Sequence, residues 1–260
     1  MAAAPDQVRR LRMLIAYDGG PFMGWQSQAS GKTVQDRLEA ALAYLCGGGS
    51  GANRIMVHGS GRTDSGVHAR GQVAHADLPA ADRMTAFKWC GAINAQLPPE
   101  IRVETARFVS EKFHARFNAT GKTYLYRIWN APVLNPFEIG RAWHLSGALD
   151  VDVLKTGAAM FVGEHDFAAF AANRGKPDEN TVRVIRSLRV RRQGTLLTLE
   201  FTGNGFLYKM VRLMTGSLIR CAQGRNSLEW LARLLKEGRR ATKTNFVAPA
   251  EGLYLMRVRY

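Results

Sequence analysis

The sequence predicts an α+β fold in which helices cover a mixed, mainly antiparallel sheet. In both halves of the chain, segments with the two-residue alternation of strands are interspersed with segments that have the helical period. They form no continuous βαβαβ run, so a doubly wound parallel sheet is not expected. The 260 residues are 46% hydrophobic, which is enough apolar material for a core and excludes a disordered or fibrous protein.

The elements of the first half follow from this periodicity and from turn residues. Alternation over 11–17 predicts a strand that ends at the turn formed by Gly19 and Gly20. A helix is expected over 33–46, where Thr33 and Asp36 form a capping pair and the glycine-rich run at 47–51 ends the helix. The other expected strands lie near 54–60, 72–77, 101–109 and 122–130. A second helix, which ends before Pro98 and Pro99, is expected to have Met84, Phe87, either Cys90 or Gly91, and Ile93 on its apolar face.

The second half is expected to begin with a helix near 150–162, capped by Asp150. A hairpin follows, with strands 182–192 and 195–203 around a turn at Gln193 and Gly194. Two helices, the first from about residue 206, precede a last strand near 252–259. The prolines and glycines of 131–149 favour a boundary there. The predicted organisation is a flexible tail over 1–8, an N-terminal half over 9–135 and a C-terminal half over 136–260.

The chain carries a formal net charge of +15, most of it in the last third. Residues 1–180 hold 20 basic and 17 acidic residues, whereas residues 181–260 hold 16 basic and 4 acidic residues. On the strand predicted over 182–192, alternation would bury the aliphatic side chains and turn arginines outward. The aliphatic set is Val182, Val184, Leu188 and Val190, and the basic stripe is Arg183, Arg189 and Arg191. This excess favours a nucleic acid as partner over a merely solubilising surface.

Several classes of protein are excluded by missing patterns. No apolar run is long enough to span a membrane, and the first ten residues lack the apolar core of a signal peptide, so a cytoplasmic protein is expected. Cys46, Cys90 and Cys221 are far apart, which predicts reduced, mostly buried thiols rather than a zinc site or disulfides. Neither GSGRTDSG nor the Gly31–Thr33 segment completes a nucleotide-binding motif. The expectation is therefore no metal and no cofactor.

The segment GSGRTDSG, at 59–66, places Asp64 between glycines in a loop that joins two extended segments. From residue types alone, an Asx turn in a connection is the modestly favoured interpretation. The alternative is a nucleophile, because Arg62 and nearby hydroxyl groups would keep the carboxylate ionised.

The longer stretch GRTDSGVHARGQVAH, at 61–75, resembles the signature of the tRNA pseudouridine synthase A family. Five further blocks resemble that family and occur in its order: YDGGPFMGWQSQ at 17–28, FHARFNATGKTYLYRI at 113–128, GEHDFAAF at 163–170, GNGFLYKMVRLMTGSL at 203–218 and APAEGLYLMRVRY at 248–260. The resemblance thus extends over nearly the whole chain.

The resemblance implies a pseudouridine synthase fold, in which two ferredoxin-like halves join into one sheet around a central basic cleft. It implies isomerisation of uridine to pseudouridine at positions 38, 39 and 40 of the tRNA anticodon arm, by a homodimer that needs no cofactor. Asp64 would be the nucleophile and Tyr124 would stack on the uracil. Arg212 would pair with the catalytic carboxylate, and Arg62 would enter the RNA and support the flipped nucleotide.

Further RNA-binding residues are expected among the basic side chains of the second half, namely Arg183, Arg189, Arg191, Lys209 and Arg220. On a helix from about 206, Phe206, Met210, Leu213, Ser217 and Cys221 would form the apolar face, with Lys209, Arg212 and Arg220 on another face. The main alternative is an RNA-binding protein without catalysis. An aspartyl-phosphate enzyme is disfavoured because no DxD pair would hold magnesium beside Asp64.

Overall fold

The computed structural model describes residues 8–47, 55–79, 83–173 and 180–260. Contacts divide the chain into two compact units, Met1–Ala119 with Leu255–Tyr260, and Thr120–Tyr254. The sequence analysis places the boundary after residue 135, whereas the contacts place it after Ala119. The difference arises because the strand over 121–130 pairs with a strand of the second unit. Of the expected tail, residues 1–7 lie outside the described part, and residue 8 already begins a strand.

The first unit consists of antiparallel strands and two helices. The strands are β1 (Val8–Tyr17), β2 (His58–Gly59), β3 (His68–Pro79), β4 (Ile101–Val109) and the end of β10 (Leu253–Arg259), and the helices are α1 (Val34–Leu45) and α2 (Ala86–Gln96). Strand β1 lies between β3 and β4, and β2 pairs with the inner part of β3. As the alternation predicts, Leu11, Met13 and Ile15 on β1 are completely buried.

The two helices of this unit can be compared with the caps and the buried faces that the sequence predicts. Thr33 and Asp36 form the expected capping box at the start of α1. Helix α1 ends at Leu45 with Cys46 as its C-cap, within one residue of the predicted end, whereas residues 48–51 of the glycine-rich run lie outside the described part. The predicted face of α2 is wrong at Phe87, which is 87% exposed. Helix α2 instead buries Trp89 and Ile93, which are one turn apart, and a residue two positions before Trp89 points to the opposite side.

The second unit also combines a sheet with helices. Its strands are β5 (Gly121–Asn130), β6 (Trp143–Leu145), β7 (Gly163–Asp166), β8 (Val182–Gln193) and β9 (Leu196–Gly203), and its helices are α3 (Val151–Met160), α4 (Met210–Ala222) and α5 (Leu228–Glu237). The strand order is β5-β9-β8-β7 with antiparallel neighbours, and β6 pairs with β5 in parallel. The predicted α+β class with mixed, mainly antiparallel pairing is therefore confirmed.

Strand β8 departs from the alternation that the sequence predicts. The register with β9 shifts between Ile185 and Ser187, and a one-residue shift exchanges the two faces of a strand. Ile185 and Leu188 are therefore both buried although they are three residues apart, whereas Val182 is 42% exposed. Sequence parity thus fails to place Arg183 on the same face as Arg189 and Arg191.

Two local predictions in the second unit also change. The hairpin turn consists of Gly194 and Thr195, one residue later than expected, and Gly194 takes a positive φ of 58°. Helix α4 begins at Met210 rather than near 206, because Lys209 adopts a left-handed conformation with a φ of 57°. Phe206 therefore lies before the helix and not on its apolar face.

Three further expectations concern cysteines, membranes and metals. Only Cys221 is buried, whereas Cys46 and Cys90 are half-buried, so the expectation of mostly buried thiols holds for one of three. Within the described ranges, no helix is long and apolar enough to cross a membrane. The same residues contain no group of three or more His, Cys, Asp or Glu side chains that could hold a metal ion.

Candidate active site

Asp64 lies in the loop over 60–67, between β2 and β3, and its side chain is half-buried. The Val67 N–H donates to the Asp64 carbonyl oxygen at 3.1 Å, which closes a tight turn. Gly66 has a φ of 78°, a conformation that a residue with a side chain rarely adopts. The backbone of this loop, here called the Asp64 loop, therefore has a fixed path at the carboxylate.

The segment over 18–26 packs against the Asp64 loop through glycines. The Trp25 N–H donates to the Thr63 carbonyl oxygen at 3.1 Å. A Cβ atom on Gly24 would lie 2.7 Å from that same oxygen, and a Cβ atom on Gly19 would lie 2.1 Å from the Val67 oxygen. Both glycines are thus required by close backbone approach. Sequence reasoning missed this support, although the glycines of YDGGPFMGWQ were its visible signal.

Buried polar groups hold the other side of the Asp64 loop. The Tyr17 hydroxyl and Thr63 Oγ1 are hydrogen-bonded at 2.8 Å. Ser60 Oγ donates to Gln72 Oε1 at 2.7 Å, and Gln72 Nε2 donates to the Gly61 carbonyl oxygen at 3.0 Å. Desolvation raises the pKa of Tyr17 to about 12, so its phenol is neutral at physiological pH. These bonds join the loop to the strands β1 and β3.

Arg62 is exposed and lies two residues before Asp64 in the same loop. Its Nε donates to Gln26 Oε1 at 3.1 Å, and Gln26 Nε2 donates to Gln35 Oε1 at 2.8 Å. The guanidinium is therefore oriented by the 18–26 segment and by α1 while it remains open to solvent.

The two histidines that follow this loop, His68 and His75, are buried and accept hydrogen bonds from backbone N–H groups. His68 is buried, and its Nδ1 accepts a hydrogen bond from the Gly19 N–H at 3.0 Å. His75 is also buried, and its Nδ1 accepts from the Ala115 N–H at 3.2 Å. Desolvation lowers the pKa of His75 to about 4, which keeps the ring neutral at pH 7.

In the second unit, Tyr124 lies on β5 opposite Phe201 and is 8% exposed. Its ring meets the ring of Phe206 edge to face, with centroids 5.0 Å apart. Tyr126 is completely buried and donates to the Pro249 carbonyl oxygen at 2.7 Å, so it packs in the core. Desolvation raises the pKa of Tyr126 well above its usual value.

Arg212 is fixed at the start of α4. Its Nε donates to the Ala248 carbonyl oxygen at 2.7 Å, and the Ala248 N–H donates to the Arg212 carbonyl oxygen at 3.1 Å. Lys209 precedes the helix, with its ammonium 5.2 Å from the Tyr208 ring. The left-handed residue before the helix and the bonds to residue 248 together set the direction of the Arg212 side chain.

The remaining basic residues differ in how strongly their side chains already interact with other groups of the protein. Arg183 donates to the carbonyl oxygens of Asn180 and Val182, and the Arg220 guanidinium lies 3.9 Å from the Phe246 ring centroid. Arg189 lies 3.9 Å from Glu200 on the neighbouring strand and is 60% exposed, and Arg191 is also exposed. Arg189 and Arg191 are thus more accessible to a polyanion than Arg183 and Arg220.

Comparison with known proteins identifies the family. A family model described as tRNA pseudouridine synthase matches residues 13–118 and 158–260, which include Asp64 and Arg212 but not Tyr124. The tRNA pseudouridine synthase A of Akkermansia muciniphila is 50% identical over 256 residues, covering 96% of this chain and 95% of the relative. That of Geobacter sp. strain M21 is 43% identical over 253 residues, covering 97% and 99%.

Among solved structures, a Cbf5-Nop10-Gar1 complex is similar at a TM-score of 0.41 and 12% identity, over 95% of this chain and 49% of that chain. The sequence relatives carry the assignment, because their similarity runs through both units at high identity. Since the family model also covers most of both units, this chain belongs to the tRNA pseudouridine synthase family, a family of isomerases.

Proposed function

We propose that this tRNA pseudouridine synthase modifies uridines at positions 38, 39 and 40 in the anticodon stem-loop, with Asp64 as the nucleophile. The observation that carries the proposal is the Asp64 loop: a carboxylate that is half-buried on a backbone fixed by glycine contacts and buried hydrogen bonds. A nucleophile gains from such a fixed position because less freedom is lost when it reacts.

The reaction is an isomerisation, so atoms and electrons balance within the nucleotide. The carboxylate attacks a carbon of the target nucleotide, at either the ribose C1′ or the uracil C6. The N1–C1′ bond breaks, the uracil turns, and a C5–C1′ bond forms. The proton on C5 is then lost while N1 gains one, and the carboxylate leaves unchanged. No oxidant, reductant or external group enters this sequence of steps.

Tyr124 and Arg212 are proposed as the other catalytic residues. Tyr124 presents a ring whose position is fixed by Phe206, which suits stacking on uracil, and its hydroxyl would assist removal of the C5 proton. The Arg212 guanidinium would keep a carboxylate ionised, as a cation does when water is excluded. Its Nε bond to the Ala248 carbonyl oxygen fixes the position of the side chain.

Base flipping is proposed because the glycosidic bond of a stacked uridine is inaccessible. Extrusion costs on the order of a few kcal/mol. Arg62 is exposed in the Asp64 loop and would support the flipped nucleotide, while phosphate contacts from the basic residues would offset the cost. The further RNA-binding residues proposed here are Arg183, Arg189, Arg191, Lys209 and Arg220.

We also propose that the enzyme is a homodimer that acts in the cytoplasm. The segment over 131–139 exposes three apolar side chains: Val133 is 78% exposed, Phe137 is 83% exposed and Ile139 is 61% exposed. A cluster of this kind is typical of a protein interface. Light scattering of wild type and of Phe137→Glu tests the dimer, and an unchanged molar mass would remove this segment from the interface.

The experiment that tests the function is mapping of pseudouridines in tRNA incubated with the purified protein. Asp64→Asn should abolish product while tRNA binding persists, and Asp152→Asn, on the exposed surface of α3, serves as the charge-matched control. Turnover by Asp64→Asn would refute the nucleophile. Product outside positions 38–40 would refute the site in tRNA, and binding of tRNA by wild type without product would favour the non-catalytic alternative.

A further inference from the structure

We propose that Phe117 and Arg116 form a stacking platform that receives an unpaired base of the tRNA, away from the target uridine. The inference rests on the proposed function, since it takes the anticodon arm as the ligand. It concerns the turn over 113–118, which connects β4 to the start of β5. None of the residues proposed above for catalysis or RNA binding lies in this turn.

The platform is exposed and combines an aromatic ring with a cation. The Phe117 side chain is 75% exposed, and Arg116 is also exposed. The Arg116 guanidinium carbon lies 5.8 Å from the Phe117 ring centroid. Aromatic rings and guanidinium planes are the surfaces on which unpaired bases stack.

The backbone of the turn is fixed from within. The N–H groups of Arg116 and Phe117 both donate to Nδ1 of His114, at 3.1 and 3.3 Å. Asn118 Oδ1 accepts from the His114 N–H at 2.5 Å, and the Asn118 N–H donates to the His114 carbonyl oxygen at 3.1 Å. An exposed ring on such a turn loses little backbone freedom when it binds a base.

Buried groups anchor the turn to the first unit. Ala115 is completely buried, and its N–H donates to His75 Nδ1 at 3.2 Å. Its carbonyl oxygen accepts from the Tyr260 hydroxyl at 2.7 Å. Arg10 on β1 donates to the Phe113 carbonyl oxygen at 2.8 Å. The turn is thus held by residues of β1 and β3 and by Tyr260, which follows β10.

The Phe117 ring packs against the ring of His114. The two ring centroids are 4.3 Å apart and the rings are inclined by 33°. The rings of His114, His75 and His58 form a compact cluster, with centroids 4.7 to 5.7 Å apart. Phe117 lies at the margin of this cluster and is 75% exposed, so a base stacked on its exposed part would extend the cluster of rings.

The cluster of rings is joined to the Asp64 loop through His58 on β2. His58 begins β2, and Ser60, two residues later, donates its N–H to the Val73 carbonyl oxygen as the chain enters that loop. From His58 to Arg62 the chain advances four residues, about 13 Å at most. One RNA that reaches Asp64 would therefore also reach the platform.

The surroundings of Phe117 favour RNA over an apolar protein partner. Its exposed neighbours in the turn, Arg116 and Asn118, are basic and polar, and the exposed residues just before the turn, Glu111 and Lys112, are both charged. A protein-binding patch would need contiguous apolar area, which these residues do not provide. Stacking on the ring together with a phosphate contact from a guanidinium matches the chemistry of single-stranded RNA.

The test measures binding of an anticodon-arm RNA by fluorescence anisotropy. Phe117→Leu keeps an apolar side chain but removes the ring, and we expect it to weaken binding about tenfold to a hundredfold. Arg116→Gln should lower the slope of log affinity against log salt concentration by about one. Phe87→Leu is the matched control, because Phe87 is an equally exposed phenylalanine on α2 of the same unit.

In a second experiment, the loop nucleotides of the RNA are replaced one at a time by abasic nucleotides. One replacement should weaken binding by wild type but leave binding by Phe117→Leu unchanged, which would identify the stacked base. Equal binding by Phe117→Leu and Phe87→Leu would overturn the proposal and leave the ring to another partner, such as a protein. Equal sensitivity of wild type and Phe117→Leu to every abasic replacement would also overturn it.

Pseudouridine formation by the wild type is measured in the same samples. If wild type forms no pseudouridine, the proposed function fails, while the binding data still decide the platform. If wild type is active and Phe117→Leu binds normally, only the platform fails.

Discussion

The Asp64 loop and the turn at Lys209 hold their residues by different means. In the Asp64 loop, glycines of the 18–26 segment let two backbones touch, and buried hydrogen bonds fix the remaining side. At Lys209, a non-glycine residue takes a left-handed φ of 57° without a side-chain cap. A nucleophile needs one position relative to its target, whereas a cation that meets a phosphate tolerates several. We therefore expect substitutions that disturb the backbone to reduce stability and activity strongly in the Asp64 loop and weakly at Lys209.

The largest effect is expected for Gly19→Ala. The new methyl group would lie 2.1 Å from the Val67 oxygen, so the Asp64 loop must move. We expect the free energy of unfolding to fall by about 3 kcal/mol and pseudouridine formation to fall more than about a hundredfold. Chemical denaturation and single-turnover assays measure the two. In the control Gly20→Ala, the methyl group would meet only Asp18 Oδ1, at 3.2 Å, and near-normal values are expected.

Acid should weaken the first unit through His75. Its pKa is about 4 in the folded protein, below the ordinary value of 6.5, so the unfolded chain binds a proton first as the pH falls. This part of the stability is complete above pH 6.5, is lost between pH 6.5 and 4, and amounts to about 3 kcal/mol. Denaturation of His75→Gln across this range should show a correspondingly smaller loss. Parallel pH profiles for the variant and wild type would contradict the assignment.

The substitution Tyr124→Phe keeps the aromatic ring and removes the hydroxyl group, so it distinguishes the role of one from that of the other. If the hydroxyl assists removal of the C5 proton, single-turnover formation of pseudouridine should fall about a hundredfold while tRNA binding is retained. Tyr126→Phe is the matched control, because it loses a bond to Pro249 and should lose about 1 kcal/mol of stability but no activity. Normal activity of Tyr124→Phe would make a proton-transfer role untenable.

The exposed arginines of β8 should act through charge alone. Replacing Arg189 and Arg191 by Gln should weaken tRNA binding about tenfold and lower its salt slope by about one per arginine. Stability should hardly change, because the pair Arg189–Glu200 is exposed and 3.9 Å long. Lys155→Gln, on α3, controls for lost charge outside the proposed surface. An unchanged salt slope would remove both arginines from the RNA footprint.

The smallest effect is expected at Lys209. Asn tolerates the left-handed conformation, so Lys209→Asn should change the free energy of unfolding by less than about 0.5 kcal/mol, whereas the β-branched Lys209→Val should cost about 1 kcal/mol more. Both variants should reduce the salt slope of tRNA binding equally if the ammonium contacts phosphate. A severe loss of stability in Lys209→Asn would contradict the contrast between the two regions.

Much of the fold could be predicted because it depends on local patterns. Strand β4, the first strand and the cap of α1 follow from alternation and from the Thr33–Asp36 pair. Strand β8 could not be predicted in the same way, since the register shift near Ile185 depends on pairing with β9. The exposed Phe87 likewise shows that a helical period identifies a helix more safely than it identifies the buried face.

The candidate site likewise has features that the sequence predicted and features that it did not. The order of sequence blocks identified the family, and with it came the proposed roles of Asp64, Tyr124 and Arg212. The glycines Gly19 and Gly24 were visible in the sequence, but their contacts with the Asp64 loop, and those of the buried Gln72, were not predicted because they join distant segments of the chain.

The sequence by itself determined the family, the α+β class and the excess of positive charge, since motifs, periodicity and composition are properties of the chain. Only the tertiary structure decided which glycines allow close packing against the Asp64 loop and where the buried face of β8 switches. It also decided which hydrogen bonds fix the turn at Phe117. Each of these depends on close approach between residues far apart in sequence, and such contacts form only when the chain packs.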